Sequence, residues 1–260
     1  MNDLNDEKWL FIGTDKRLSV CCKLMEKKGY VSRYINTNTY TDELEAVLVE
    51  FEPNHIVFPI LELNGSIPLR LLGENTKLYT GVVSEKWKNR YKDAHFSIAS
   101  YLQDEVFIWE NARLTAEAFI NVFYNEMSQT IYGKQFYVAG YGRVGKMVAD
   151  SLLALNAKVT VIARSEAQLG EAKMRGYSTE QFSNLLRMSE GYLVNTVPAQ
   201  WLSKQIYIPN FIFDLASAPG CLREPSTTEY YRLLPGLPGK YFPVDAAISL
   251  SGALERIHRR

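Results

Sequence analysis

The sequence predicts an α/β protein with two Rossmann-like parallel-sheet domains joined by a long interdomain helix. Three observations carry this. Apolar runs of strand length alternate with amphipathic stretches of helix length, as in parallel sheets covered by helices. A continuous helical pattern interrupts that alternation in the middle of the chain. A glycine-rich turn, Gly140 to Gly145, stands between an apolar run and a helix. The 260 residues suffice for two cores. The expected division is an N-terminal α/β domain of Rossmann or flavodoxin type at 1–110, an interdomain helix at 111–131, a nucleotide-binding domain at 132–243 and a C-terminal helix at 244–260.

The elements follow in order. Trp9 to Ile12 reads as a buried strand running into a turn at Gly13, Thr14 and Asp15. A helix follows with Leu18, Cys21, Cys22 and Met25 on one face and Gly29 as its stop. "HIVFPIL" and "TKLYTGVV" read as further buried strands. Residues 112–130 place Leu114, Ala118, Phe119, Val122, Phe123 and Met127 at helical spacing, and a cleft between the domains is expected near Asn111 to Glu117. Strands recur at "QFYVAG", "KVTVIA", "YLVNTV" and "FIFDLA", with helices expected in the first two intervals. "LLPGLPGKYFP" reads as a rigid loop, and a last helix ends in Arg259 and Arg260, charges that suit a helix C-terminus.

Charge and composition narrow the function. Lys plus Arg equals Asp plus Glu at 29 each, so no basic field invites nucleic acid or an anionic membrane. No apolar run approaches the roughly 18 residues of a membrane span, and the acidic start is unlike a secretory leader. Cys21, Cys22 and Cys221 offer neither a disulfide framework nor the spacing of a zinc site, so reduced thiols, a cytoplasmic location and no metal are expected. His55 opens a buried strand, His95 lies in a polar stretch and His258 in a basic tail; each reads as structural or solvated. No histidine stands between Gly145 and Tyr241 to act as a general base, which counts against simple alcohol–ketone chemistry.

The glycine turn carries the chemistry. Gly140 permits the tight turn and Gly142 lets backbone approach a pyrophosphate. Gly145 lets the helix pack on the strand, while Arg143 and Val144 open the helix whose N-terminus holds the phosphate charge. The second strand ends in Arg164 and Ser165, where NAD-binding units usually carry a carboxylate for the ribose 2′-hydroxyl. A guanidinium fork and a hydroxyl suit a 2′-phosphate, so NADP is favoured over NAD. Thr196, Val197 and Pro198 end the next strand, and Asp214, Ala216 and Ser217 close the one after. These ends are expected on the nicotinamide side, although "NTVP" is equally a polar strand terminus and Asp214 equally a cap for "SAPG".

In this order, "GKQFYVAGYGRVGKMVADSLLALNAKVTVIARS", "NTVP", "DLASAPG" and "LLPGLPG" resemble the A subunit of dipicolinate synthase. "IGTDKR" and "ENARLTAEAF" resemble that family's start and its interdomain segment. The resemblance implies an NADP-using oxidoreductase, related to the D-2-hydroxy acid dehydrogenases. With a flavoprotein-like B subunit, it would oxidise a dihydrodipicolinate-level intermediate to pyridine-2,6-dicarboxylate, a sporulation-linked product. It also implies Thr115 and Glu117 as catalytic candidates, and Asn111, Ser217, Pro219, Gly220 and Gly236 as substrate contacts. A homo-oligomer is a further expectation. The chain departs from the family at Leu114, Ala118 and Cys221. Val244 and Asp245 replace a Lys-Thr pair, and Asp245 is an acid that a dicarboxylate would avoid. Two other readings stand beside this one: an enzyme like the D-2-hydroxy acid dehydrogenases, and a non-catalytic dinucleotide-binding regulatory protein.

Overall fold

The structure, a computed structural model, describes residues 7–182, 190–203, 211–224 and 229–259. The acidic start before Glu7 and the terminal Arg260 lie outside the described residues. The chain divides into one unit of Met1–Asn111 with Gly239–Arg260, and a second of Ala112–Pro238.

In the first unit, β1 (Lys8–Ile12), β2 (Val31–Ile35), β3 (His55–Val57), β4 (Lys77–Thr80) and β5 (Ser97–Ser100) form a parallel sheet of order β2-β1-β3-β4-β5. Its connecting helices are α1 (Lys16–Lys27), α2 (Asp42–Phe51) and α3 (Glu85–Lys92). Their N-caps are Asp15, Thr41 and Ser84, each accepting a backbone N–H of the first turn. The expected face of α1 is buried, and Gly29 follows it at φ +94°.

The long helix α4 (Glu105–Met127) starts and stops earlier than the 112–130 pattern suggested. Its true start is Asp104, whose carboxylate accepts the Phe107 N–H at 2.9 Å, and Ser128 follows its end at φ +50°.

The second unit holds β6 (Gln135–Ala139), α5 (Arg143–Ala154), β7 (Lys158–Ala163), α6 (Glu166–Met174) and β8 (Ser178–Gln181). It continues with β9 (Tyr192–Asn195), β10 (Phe211–Asp214) and β11 (Tyr231–Leu233). The parallel sheet runs β11-β10-β9-β6-β7-β8. This is the Rossmann order, with its switch point between β6 and β9. The segment read as a rigid loop instead contains a short helix, α7 (Leu237–Tyr241). Pro238 sits at its second position, where a missing N–H costs nothing.

The last helix, α8 (Pro243–His258), belongs to the first unit. Side chains alternate along β1, so Trp9 and Phe11 face one layer and Leu10 and Ile12 the other. The first layer holds Leu18, Cys21 and Met25 of α1 with Leu250, Leu254 and Ile257 of α8. The second holds Leu44 and Leu48 of α2 with Trp87 and Tyr91 of α3. Arg256 clamps the buried Asp104 at 2.7 and 3.0 Å, and Lys28 pairs with Glu255 at 2.8 Å.

All three cysteines are free and buried. Burial pushes the Cys22 thiol up to about 12, with the Glu26 carboxylate adding to the shift, and raises Cys21 and Cys221 as well. The folded protein is therefore expected to leave an aromatic disulfide reagent at pH 8 unreacted, and to titrate three thiols only after denaturation. Rapid reaction of the native protein would contradict this packing.

Candidate cofactor site

The site is built at the β6–β9 switch point. Gly140 follows β6 at φ +93°, and its N–H donates to the Ile162 carbonyl at 2.8 Å. A Cβ at Gly140 would fall 2.5 Å from Thr196 Oγ1 and 2.9 Å from Val197 Cγ2. A Cβ at Gly145 would collide with the Gly140 carbonyl oxygen, so this glycine lets α5 approach its strand. Gly142 differs from both. It caps α5 without a side-chain hydrogen bond, and a Cβ there would meet nothing within 4 Å. Open space of this kind at a helix N-terminus suits an anionic group such as a phosphate.

A pocket of about 350 Å³ lies over this turn. Gly140, Gly142, Arg164, Ser165, Thr196, Val197 and Pro198, all expected from the sequence, meet on its wall. A second pocket of about 300 Å³ shares Arg164, Phe182 and Val197 with the first. It adds Trp201 and Arg223, which sequence reasoning missed, along with Phe182 and Gln168 of the first pocket. Phe182 and Trp201 meet edge to face at 4.9 Å. Phe182, Trp201 and Arg223 lie on or beside loops whose course no periodicity reveals, and Gln168 lies in the first turn of α6. Among the described residues, neither pocket wall carries a carboxylate.

Asp214 and Ala216, expected as cofactor contacts, lie off these walls and are 0% and 5% exposed. The Asp214 carboxylate accepts from Asn195 Nδ2 at 2.7 Å, Cys221 N at 2.6 Å, Tyr231 OH at 2.8 Å and Ala216 N at 3.1 Å. Two of these bonds hold the 216–221 loop to β10, and the other two tie in Asn195 at the end of β9 and Tyr231 at the start of β11. Burial, reinforced by Asp214, raises the pKa of Tyr231 and of Cys221. Asn195 extends the network. Its Oδ1 accepts from Trp201 Nε1 at 3.0 Å and Val197 N at 3.1 Å, which ties the pocket wall to the buried carboxylate. Arg143, Val144 and Gly145 form the first turn of α5 and do not line this pocket; Arg143 is exposed, Val144 half-buried and Gly145 buried.

The remaining candidates are dispersed. Ser217 and Pro219 are exposed on the loop after β10, where Gly220 at φ +83° has no room for a Cβ beside Tyr231 and Asp214. Gly236 is exposed at φ +67°. Thr115 is buried on α4, and the exposed Glu117 pairs with Arg113 one turn earlier. Asn111 belongs to the first unit, where it accepts from Arg17 Nη1 at 3.3 Å; Arg17 itself grips Asp15 at 2.8 Å. Val244 and Asp245 are exposed in the first turn of α8, where an acid favourably opposes the helix dipole. No helix among the described residues is long and apolar enough to cross a membrane.

Comparison with known proteins agrees with this geometry. Residues 109–207 match the family described as D-isomer specific 2-hydroxyacid dehydrogenase, NAD binding domain, which supports a nicotinamide dinucleotide cofactor. An adenosylhomocysteinase of Sulfurisphaera tokodaii is 24% identical over 163 residues, 60% of this chain. The matched stretch spans only 39% of that protein's length. Among solved structures, the A subunit of the Bacillus halodurans dipicolinate synthase superposes with a TM-score of 0.78 at 21% identity, covering 99% of both chains. Its counterpart in the Bacillus subtilis dipicolinate synthase gives 0.77 at 21% identity, covering 97% of this chain and 96% of that one. These likenesses support an oxidoreductase. The chain shares the α/β fold of these dipicolinate synthase structures, and its residues 109–207 resemble the NAD-binding domain of the D-2-hydroxy acid dehydrogenases.

Proposed function

We propose that this protein is an NADP-dependent oxidoreductase of the dipicolinate synthase kind. On this reading it oxidises a cyclic dihydrodipicolinate-level dicarboxylate to pyridine-2,6-dicarboxylate in partnership with a flavoprotein-like B subunit. The observation that carries the cofactor choice is the wall around Arg164, which has guanidinium and hydroxyl groups and no acid among its described residues. A carboxylate in that place would favour a 2′-hydroxyl and repel a 2′-phosphate. Arg164 offers the phosphate a planar fork and Ser165 a hydroxyl, while Gly142 and the first turn of α5 receive the pyrophosphate.

When bound, NADP⁺ supplies the hydride acceptor, and the substrate's second hydrogen leaves as a proton to solvent. Aromatisation of the ring drives that loss, so the protein's task is largely to bind and orient.

Calorimetric titration tests the cofactor choice. The wild type is expected to prefer NADP⁺ over NAD⁺. Arg164→Asp is expected to weaken NADP⁺ by about ten- to a hundredfold, the equivalent of losing a charge-assisted hydrogen bond of roughly 1.5–3 kcal/mol, while sparing NAD⁺. An unchanged preference would refute the assignment. NADPH formation from enzymatically generated dihydrodipicolinate, with and without a B-type partner, tests the substrate.

A further inference from the structure

Three side chains far apart in the sequence converge in the first unit. Glu7 precedes β1, His55 opens β3, and His258 ends α8. One coordinating atom from each lies within 4.8 Å of the other two. His55 Nε2 is in hydrogen-bonding contact with Glu7 Oε2, and His258 Nε2 lies 3.7 Å from Glu7 Oε1. The sequence offered no reason to group these residues, since each histidine alone reads as structural and no metal was expected.

We propose that Glu7, His55 and His258 form a binding site for a divalent transition metal ion of the zinc class, which pins α8 to the amino ends of the strands. The donor set is two imidazole nitrogens and a carboxylate oxygen, a combination zinc takes with water in the fourth position. Tetrahedral bonds of about 2.0–2.2 Å put ligand atoms about 3.3–3.5 Å apart. To reach this the hydrogen-bonded His55–Glu7 pair must open and His258 must close on it, a rearrangement of about an ångström within side chains.

The surroundings suit the role. His55 is buried and stacks on Trp9 at 4.3 Å, and the His258 ring meets it edge-on at 4.8 Å, so the rings are held in place. The Tyr79 hydroxyl lies 3.3 Å from His55 Nδ1, the outer partner that fixes a ligating imidazole with Nε2 facing the metal. Burial lowers the pKa of His55, with Glu7 opposing the shift, and this favours the neutral ring that ligates. Lys77 is the nearby opposing charge. Its ammonium is turned onto the Ile257 carbonyl at 3.0 Å, and burial lowers its pKa. The protonated, buried thiols of Cys21, Cys22 and Cys221 do not compete for the ion.

The test uses the full chain, stripped with a chelator, dialysed and titrated with Zn²⁺ by calorimetry, with bound metal counted by elemental analysis. One equivalent is expected, together with a rise in melting temperature. His258→Ala, at a partly exposed helix end that tolerates the change, is expected to weaken Zn²⁺ by at least about 100-fold and to abolish the thermal shift. Tyr79→Phe is expected to cost about tenfold, as loss of an outer partner does. His95→Ala serves as the surface-histidine control and is expected to change nothing. Absence of stoichiometric Zn²⁺ in the wild type would overturn the proposal and leave a carboxylate bridging two imidazoles. Binding that survives His258→Ala would overturn it equally.

Discussion

Asp214→Ala is expected to destabilise the second unit by about 4 kcal/mol or more. The carboxylate is fully buried and accepts four hydrogen bonds, from Asn195, Ala216, Cys221 and Tyr231. Its removal leaves two backbone N–H groups, an amide and a phenol without an acceptor in a region closed to water. Each unsatisfied buried donor costs about 1–3 kcal/mol, and relaxation keeps the sum below simple addition. Asp214→Asn keeps the volume but puts two donors where only acceptors fit, and about half the loss is expected. Urea unfolding provides the measurement, read as a fall in midpoint at constant slope. A loss under 1 kcal/mol for the alanine variant would mean that the loop after β10 is held by something else. Cofactor affinity should fall with stability, because Asn195 links this network to Trp201 and Val197 on the pocket wall.

Gly145→Val is expected to abolish dinucleotide binding and to cost about 3 kcal/mol of stability, the upper range for overpacking a tight contact. The atom in the way is the Gly140 carbonyl oxygen, part of a backbone held by the Gly140 N–H bond to Ile162. It cannot swing aside as a side chain would, so α5 must lift from β6. Gly142→Ala separates the two contributions. Its Cβ meets no protein atom within 4 Å, so stability is expected to hold while affinity for NADPH drops, the methyl occupying phosphate space. Fluorescence titration with NADPH beside chemical unfolding distinguishes them. A Gly142→Ala variant that binds normally would move the pyrophosphate away from this turn.

The interior of the fold was legible and its margins were not. The strands found in the sequence, β1, β3, β4, β6, β7, β9 and β10, are the central ones, buried on both faces and written as apolar runs. The four it did not reveal, β2, β5, β8 and β11, are the four sheet edges. "VSRYI", "SIAS", "STEQ" and "YRL" mix polar residues into partly exposed positions because an edge faces water, which removes the continuous apolar run used to find a strand. In the site, Gly140, Gly142, Arg164 and Thr196 were legible because strand and helix geometry fix their separations. Phe182, Trp201 and Arg223 reach the pocket from positions without a periodic signature. Glu7, His55 and His258 meet only through the return of α8, which local pattern cannot show.

That return sets the order in which the protein can be made. Residues 112–238 are contiguous, so the second unit has all its sequence once Pro238 has cleared the ribosome. The first unit, though synthesised earlier, still lacks α8 at that moment. Leu18, Cys21 and Met25 then wait without Leu250, Leu254 and Ile257, an apolar stripe open to chaperones and to aggregation. Vectorial synthesis thus finishes the later unit first, and the nascent amino-terminal half becomes native only when the final helix emerges to seal it.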